Sequence, residues 1–179
     1  MSEKNLDQIN SYLSFNLGEG TFAANVSKVL NILEMTEITK VPRAPEYMKG
    51  VINLRGSVLP VVDTRIKFNM SPTEYTSNTC ILVMEVDVEG ERVQVGGLVD
   101  EVQAVLEIEK EDILPPPNIG SKYRSEFISG MAKIDEKFIM LLNMDSVFSS
   151  DDVASIRESA GRSNLQAETA VKNEKEGES

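Results

Sequence analysis

The sequence predicts an all-β protein organised as two barrel-like units. Three observations carry this reading. About ten strand-like segments rich in Val, Ile and Leu recur at short spacing between Gly, Pro, Asn and Asp punctuation, as in small barrels. Very little of the chain has helical periodicity. A linker over residues 69–78, containing Pro72, coincides with a step in charge: residues 28–67 hold seven basic against four acidic side chains, and residues 74–112 hold two against eleven. The unit boundary is therefore expected near 69–78, inside a folded region of residues 11–158. A flexible lead-in, residues 1–10, precedes it. Residues 159–179 are expected to be a disordered tail, because Leu165 and Val171 are their only large apolar residues.

The elements follow in order. Residues 12–17 alternate Leu13, Phe15 and Leu17 with polar neighbours, and Gly18-Glu19-Gly20 turns the chain into a partner strand, giving a first hairpin. Residues 25–33 are ambiguous: Val26, Val29, Leu30 and Leu33 fit helical spacing, while the β-branched content suits a short helix passing into a strand. Residues 50–68, GVINLRGSVLPVVDTRIKF, form the most legible stretch. A strand reaches the turn Arg55-Gly56-Ser57, where Gly56 can take a positive φ, and the chain returns through Val58–Val62. Pro60 cannot donate to a ladder, so an edge position or a bulge is expected there. Asp63 is the expected N-cap of a short helical turn. Arg55 leaves one permanent charge at the bend of an apolar hairpin, and that charge must be paired or must face a partner.

Beyond the linker, residues 79–86 and 92–99 read as a strand pair. Gly96-Gly97 signals a bulge or a close backbone approach. Val102, Val105, Leu106 and Ile108 prolong the β character, and the alternating Glu107, Glu109 and Glu111 suit an exposed edge kept from aggregating by charge. Pro115-Pro116-Pro117 stiffens a loop running to Gly120. Residues 127–134 and 137–142 pair across Asp135-Glu136, and a closing helix begins at Met144 and extends towards Ile156.

Composition excludes several functions. The chain has no histidine and one cysteine, Cys80, which sits in an apolar strand, so neither a hydrolase triad, a zinc site nor a disulfide framework is supported. A formal net charge of -11 disfavours nucleic acid and anionic membrane surfaces. No signal peptide or membrane-length apolar run is apparent, and a cytosolic protein is expected. Gly120-Ser121-Lys122 resembles the end of a phosphate loop, but proline stands at position 115 where that pattern needs glycine. Catalytic residues, cofactors and metal ligands are all expected to be absent. A binding module is favoured over its rival, an enzyme using the acidic strands.

GVINLRGSVLPVVDTRIKF, preceded by KVPRAPEYMKG, closely resembles the signature of the CheW family of bacterial chemotaxis adaptors. The likeness continues through FNLGEGTFAANVSKV, VGGLVDEVQAVLEI, EDILPPPNIG and FISGMAKIDEKFIMLLNMD, covering residues 12 to about 150. It implies two interleaved five-stranded SH3-like barrels with a C-terminal closing helix. It also implies a non-enzymatic adaptor that joins the cytoplasmic tips of chemoreceptors to the regulatory domain of the histidine kinase CheA. An adaptor of a parallel chemosensory pathway, such as surface motility, is the alternative within the family. In residue terms the resemblance implies receptor contacts at Val29, Ile32, Arg55 and Val99, and kinase contacts at Leu114, Asn118 and Ile119. Gly50, Asn53, Gly56 and Asp63 are expected to be structural. The arginine of the family's NLRG turn commonly pairs with a glutamate whose place here is taken by Asn31, so Arg55 is expected to pair elsewhere, with Glu34 as a candidate, or to face the receptor. The charge step adds an expectation of ring assembly with the kinase, steered by complementary barrel ends.

Overall fold

A computed structural model gives the fold and describes residues 10–116, 127–148, 152–155, 157 and 158. The strands are β1 (Ser11–Leu17), β2 (Gly20–Asn25), β3 (Val29–Glu34), β4 (Met48–Leu54), β5 (Ser57–Asp63), β6 (Cys80–Val88), β7 (Glu91–Val99), β8 (Glu101–Glu107), β9 (Ile128–Ile134) and β10 (Lys137–Leu142). Helix α1 (Thr64–Lys67) follows β5 and α2 (Met144–Val147) follows β10. The ambiguous segment resolves into a 3-10 turn, Val26–Lys28, followed by strand β3. The closing helix is interrupted: Phe148 is extended, with φ -111° and ψ 131°, and helix resumes at residues 152–155.

Two five-stranded curled sheets form, in the orders β8-β1-β2-β10-β9 and β3-β6-β7-β5-β4. One isolated bridge joins the two ends of each. Thr39, beyond β3, exchanges backbone hydrogen bonds with Val51 of β4 at 2.9 and 2.8 Å, and Leu114, beyond β8, does the same with Met131 of β9 at 2.7 and 3.0 Å.

The expected boundary at 69–78 lies inside one sheet, between β5 and β6, and does not separate the barrels. The chain passes from sheet to sheet instead at Val26–Lys28 and at Asp100. The linker separates two structural repeats, β1–β5 and β6–β10, and each barrel combines three strands of one repeat with two of the other. Matching details support the repeat. Asp63 N–H donates to Tyr47 O at 2.7 Å, and Asn143 N–H donates to Phe127 O at 2.8 Å. Strand β5 runs parallel to β7 as β10 runs parallel to β2. The charge step falls largely within the β3–β7 sheet, which holds residues from both the basic and the acidic stretch, so it does not distinguish one barrel from the other.

Strand exchange explains why the strands are apolar on both faces. Ile81, Val83, Val61 and Leu98 fill one barrel, and Ala23, Ala132, Ile139 and Leu141 fill the other. Their neighbours Leu82, Met84, Val62, Val99, Ala24 and Leu142 face a core shared by the two barrels. A run of rings crosses that shared core: Phe15, Phe22, Phe68 and Phe127, with successive centroids 6.4, 5.8 and 5.5 Å apart.

Pro60 is not on an edge strand, because β5 lies between β4 and β7. It is tolerated because pairing with β7 begins only at Val61. At Gly96-Gly97 the register with β6 is unbroken. The pair serves close approach: an added Cβ would stand 2.8 Å from Ile81 Cγ2 at Gly96 and 2.9 Å from Met84 Cε at Gly97. Strand β8 is an edge strand, but of the alternating glutamates only Glu107 belongs to it; Glu109 is at the N-cap of the 3-10 turn Lys110–Asp112 and Glu111 lies within that turn, so they do not form a charged row along that edge.

Candidate functional site

Strand β3 is an edge of the other sheet, and its residues alternate between half-buried and exposed. The register with β6 breaks at Leu30, so Val29 packs on the shared core while Leu33 packs on the other face of the sheet, into its own barrel, and Asn31 is half-buried. Leu30, Ile32 and Glu34 lie outward, leaving Leu30 50% and Ile32 44% exposed. Two large aliphatic side chains facing solvent from an edge strand form a surface that association would cover. The helical spacing of Leu30 with Val26 and Leu33 suggests a core position for it. It is instead exposed at the irregularity that breaks the β3–β6 register, which neither helical spacing nor strand alternation signals.

Next to β3 lies the bend of the β4–β5 hairpin. Arg55 and Gly56 both have positive φ, 52° and 84°, which makes a two-residue turn of the primed type that matches strand twist. Asn53 Oδ1 accepts from Gly56 N–H at 2.9 Å and stabilises the bend. Arg55, Leu54, Ser57, Val58 and Leu59 from the hairpin line a cleft of about 420 Å³ together with Leu30 and Asn31 of β3, Val83 of β6 and Gln94 of β7. Asn31 and Arg55 therefore share one concavity. The Asn31 amide does not neutralise the guanidinium, because its Oδ1 accepts from Ile32 N–H at 2.9 Å. Among the described residues Arg55 has no hydrogen-bond or ion-pair partner, so the Glu34 pairing does not form.

The other expected site residues fall in different places. Val29 is half-buried against the shared core. Val99 is completely buried in that core and presents no surface, because it is on the strand face that meets the other barrel. Leu114 is 42% exposed at the bridge that closes the other barrel, and Asn118 and Ile119 lie outside the described residues.

Gly50 has φ 148°, and a Cβ there would stand 2.1 Å from Thr39 O. Asp63 is fully buried and caps α1: Oδ1 accepts from Arg65 N–H at 3.0 Å and Thr73 Oγ1 at 2.7 Å, and Oδ2 from Thr73 N–H at 2.9 Å. It thereby ties the linker to the barrel. Among the described residues no acidic or cysteine cluster is arranged to hold a metal ion, and no helix is long and apolar enough to cross a membrane.

A two-barrel body with an apolar edge, a cationic cleft and shallow surface concavities defines a protein-binding scaffold. Residues 11–152 match the CheW-like domain model. The chain is 39% identical to the chemotaxis protein CheW of Rhizobium meliloti (strain 1021) over 140 residues, 78% of this chain and 88% of that one. It is 32% identical to the chemotaxis protein CheW of Klebsiella aerogenes over 143 residues, 80% of this chain and 84% of that one. The fold matches the crystal structure of the scaffolding protein TtCheW from Thermoanaerobacter tengcongensis with a TM-score of 0.71 and 26% identity, covering 85% of this chain and 96% of that one. The chain belongs to the CheW family, whose members are non-catalytic scaffolds of chemotaxis.

Proposed function

We propose that this scaffold couples chemoreceptors to the histidine kinase CheA, receiving the receptor's cytoplasmic tip on the β3 side and the kinase's regulatory domain near Leu114, Asn118 and Ile119. The observation that carries the reading is the outward pair Leu30 and Ile32 on edge strand β3, beside the unpaired Arg55. Val29 contributes from its half-buried position, and Val99 belongs to this reading only as a residue of the shared core. The scaffold then works in the cytoplasm against membrane-bound receptor arrays, and assembly with the kinase into rings belongs to the same reading.

A reconstituted assay tests it. Purified chain, a receptor cytoplasmic fragment and CheA from the same genome are combined, and co-sedimentation and kinase autophosphorylation are measured. The expected result is a ternary complex in which kinase activity depends on the chain. Binding to neither partner at concentrations where the family's own complexes form overturns the proposal.

A further inference from the structure

Beyond β3 the chain runs through residues 35–38 to the bridge at Thr39, and this stretch lines a second concavity, of about 520 Å³, with Lys40, with Lys49 of β4 and with Thr73 and Tyr75 of the linker. It shares no residue with the Arg55 cleft and lies at the other end of the β4–β5 hairpin, about 20 Å along the strand from Lys49 to Arg55. Three kinds of group there are unspent. The backbone N–H and C=O groups of Thr36, Glu37 and Ile38 have no hydrogen-bond partner among the described residues, although the chain is paired on either side, at Glu34 with β6 and at Thr39 with β4. Lys40 forms no ion pair among the described residues. Lys49 Nζ stands 3.9 Å from Asp63 Oδ2, beyond hydrogen-bond length, and the Asp63 oxygens already accept from Thr73 and from Arg65 N–H. Each ammonium therefore keeps its three donors. Glu37, the one acid lining the concavity, pairs with neither lysine, and in a chain of net charge -11 two cations without an acid are not explained by internal pairing. The third group is Tyr75, whose ring is 55% exposed at the rim.

We infer that this concavity docks an acidic peptide segment of a partner protein, laid along residues 36–38. An unpaired run of backbone at the end of an edge strand offers the main-chain hydrogen bonds by which an extended peptide adds to a sheet. The cations decide which peptide it takes. A carboxylate side chain enters between Lys40 and Lys49, and an apolar side chain two positions along, on the same face of the peptide, covers Tyr75. Lysines suit this role because a flexible ammonium follows a carboxylate without imposing the fixed fork of a guanidinium. The contact is separate from both surfaces of the coupling reading and stands without it.

The test titrates the full isotope-labelled chain with a synthetic acetylated and amidated heptapeptide in which glutamate and leucine alternate, and reads backbone amide shifts; the control peptide carries glutamine for glutamate. The glutamate peptide is expected to shift the amides of Thr36, Glu37, Ile38, Lys49 and Tyr75, to bind at least about fivefold more tightly than the control, and to weaken as salt rises. Lys40→Gln and Lys49→Gln should each weaken binding about threefold. Lys40 is exposed, so its variant keeps the test independent of any loss of stability at Lys49, which urea unfolding measures in parallel. Arg55→Gln should bind the peptide like the unaltered chain. The inference is overturned by an absence of shifts at about 1 mM peptide, by equal binding of the glutamine peptide, by unchanged affinity in Lys40→Gln, or by shifts around the Arg55 cleft that Arg55→Gln abolishes.

Discussion

Arg65 grips Asp100 across the junction between the barrels. Its Nε donates to Oδ1 at 2.8 Å and its Nη2 donates to Oδ2, while Gly18 N–H donates to Oδ2 at 2.7 Å. Asp100 is the single residue between β7 and β8, where the chain leaves one sheet for the other. The second repeat has a counterpart of opposite polarity. There the carboxylate is on α2: Asp145 Oδ2 pairs with Lys28 Nζ at 2.8 Å in the other crossover, and its Oδ1 accepts from Asp87 N–H at 2.8 Å.

Removing the first clasp strands a guanidinium whose side chain is 19% exposed and leaves Gly18 N–H without its acceptor. Asp100→Ala is expected to cost about 2–3 kcal/mol, discounted from fully buried pairs for partial exposure. Lys28→Ala, at the more exposed clasp, should cost less than about 1 kcal/mol. Urea unfolding of the two variants checks the ranking, and equal losses would argue against the burial explanation.

Two equivalent glycines should respond unequally. At Gly50 a methyl group meets a backbone oxygen at 2.1 Å and a positive φ; at Gly130 it meets Ile113 Cγ2 at 2.6 Å and Leu114 O at 2.9 Å, without a positive φ. Gly50→Ala should cost about 3 kcal/mol or more by opening the Thr39–Val51 bridge. Gly130→Ala is expected to cost less, because the Ile113 side chain can move. Thermal melts with amide exchange at Val51 and Met131 report both effects.

The outward and inward faces of the proposed receptor side separate stability from binding. Leu30→Ser and Ile32→Ser should each cost no more than about 1 kcal/mol, since both side chains are already about half in solvent. Val99→Ala should cost about 2–3 kcal/mol by opening a cavity in the shared core. Receptor-fragment binding should fall for the serine variants while they remain folded. Unchanged binding by Leu30→Ser/Ile32→Ser together would move the docking surface elsewhere.

Tyr47 gives a spectroscopic marker for the C-terminal segment. Its ring lies beneath Lys67 Nζ at 4.8 Å, and Lys67 pairs with Asp152 at 2.7 Å, holding that segment to α1. The Tyr47 hydroxyl is buried without a regular hydrogen bond, yet burial first, and the neighbouring Asp152 carboxylate second, raise its pKa well above the ordinary tyrosine value. The unfolded chain loses this proton near pH 10 while the folded chain retains it. The contribution to stability is therefore full and level below about pH 10 and declines above it. Tyr75 is also raised, by burial first and by the Asp63 charge second, but less, so alkaline titration at the tyrosinate band should show a last-ionising tyrosine that Tyr47→Phe removes; a native titration unaltered by that substitution would refute this.

Much of the fold is legible locally. The turns at Gly18–Gly20, Arg55-Gly56 and Asp135-Glu136, the cap at Asp63 and the strands between them each follow from a few adjacent residues. The repeat is legible too, since residues 46–68 and 126–148 align without a gap, with Gly50 on Gly130 and Phe68 on Phe148. Its low identity hides it, because conserved geometry here tolerates almost any apolar residue.

The sequence by itself determined an all-β chain with no catalytic set, its family, and a turn bearing one awkward charge. Only the tertiary structure decided which strands share a barrel, since Val61-Val62, Ile81-Leu82 and Leu141-Leu142 are apolar on both faces and alternation cannot say which face meets which core. It also decided that Leu30 faces solvent, that Val99 does not, and that Arg55 pairs with neither Asn31 nor Glu34. These depend on contacts between residues distant in the chain, and local composition cannot encode a partner that the fold leaves out of reach.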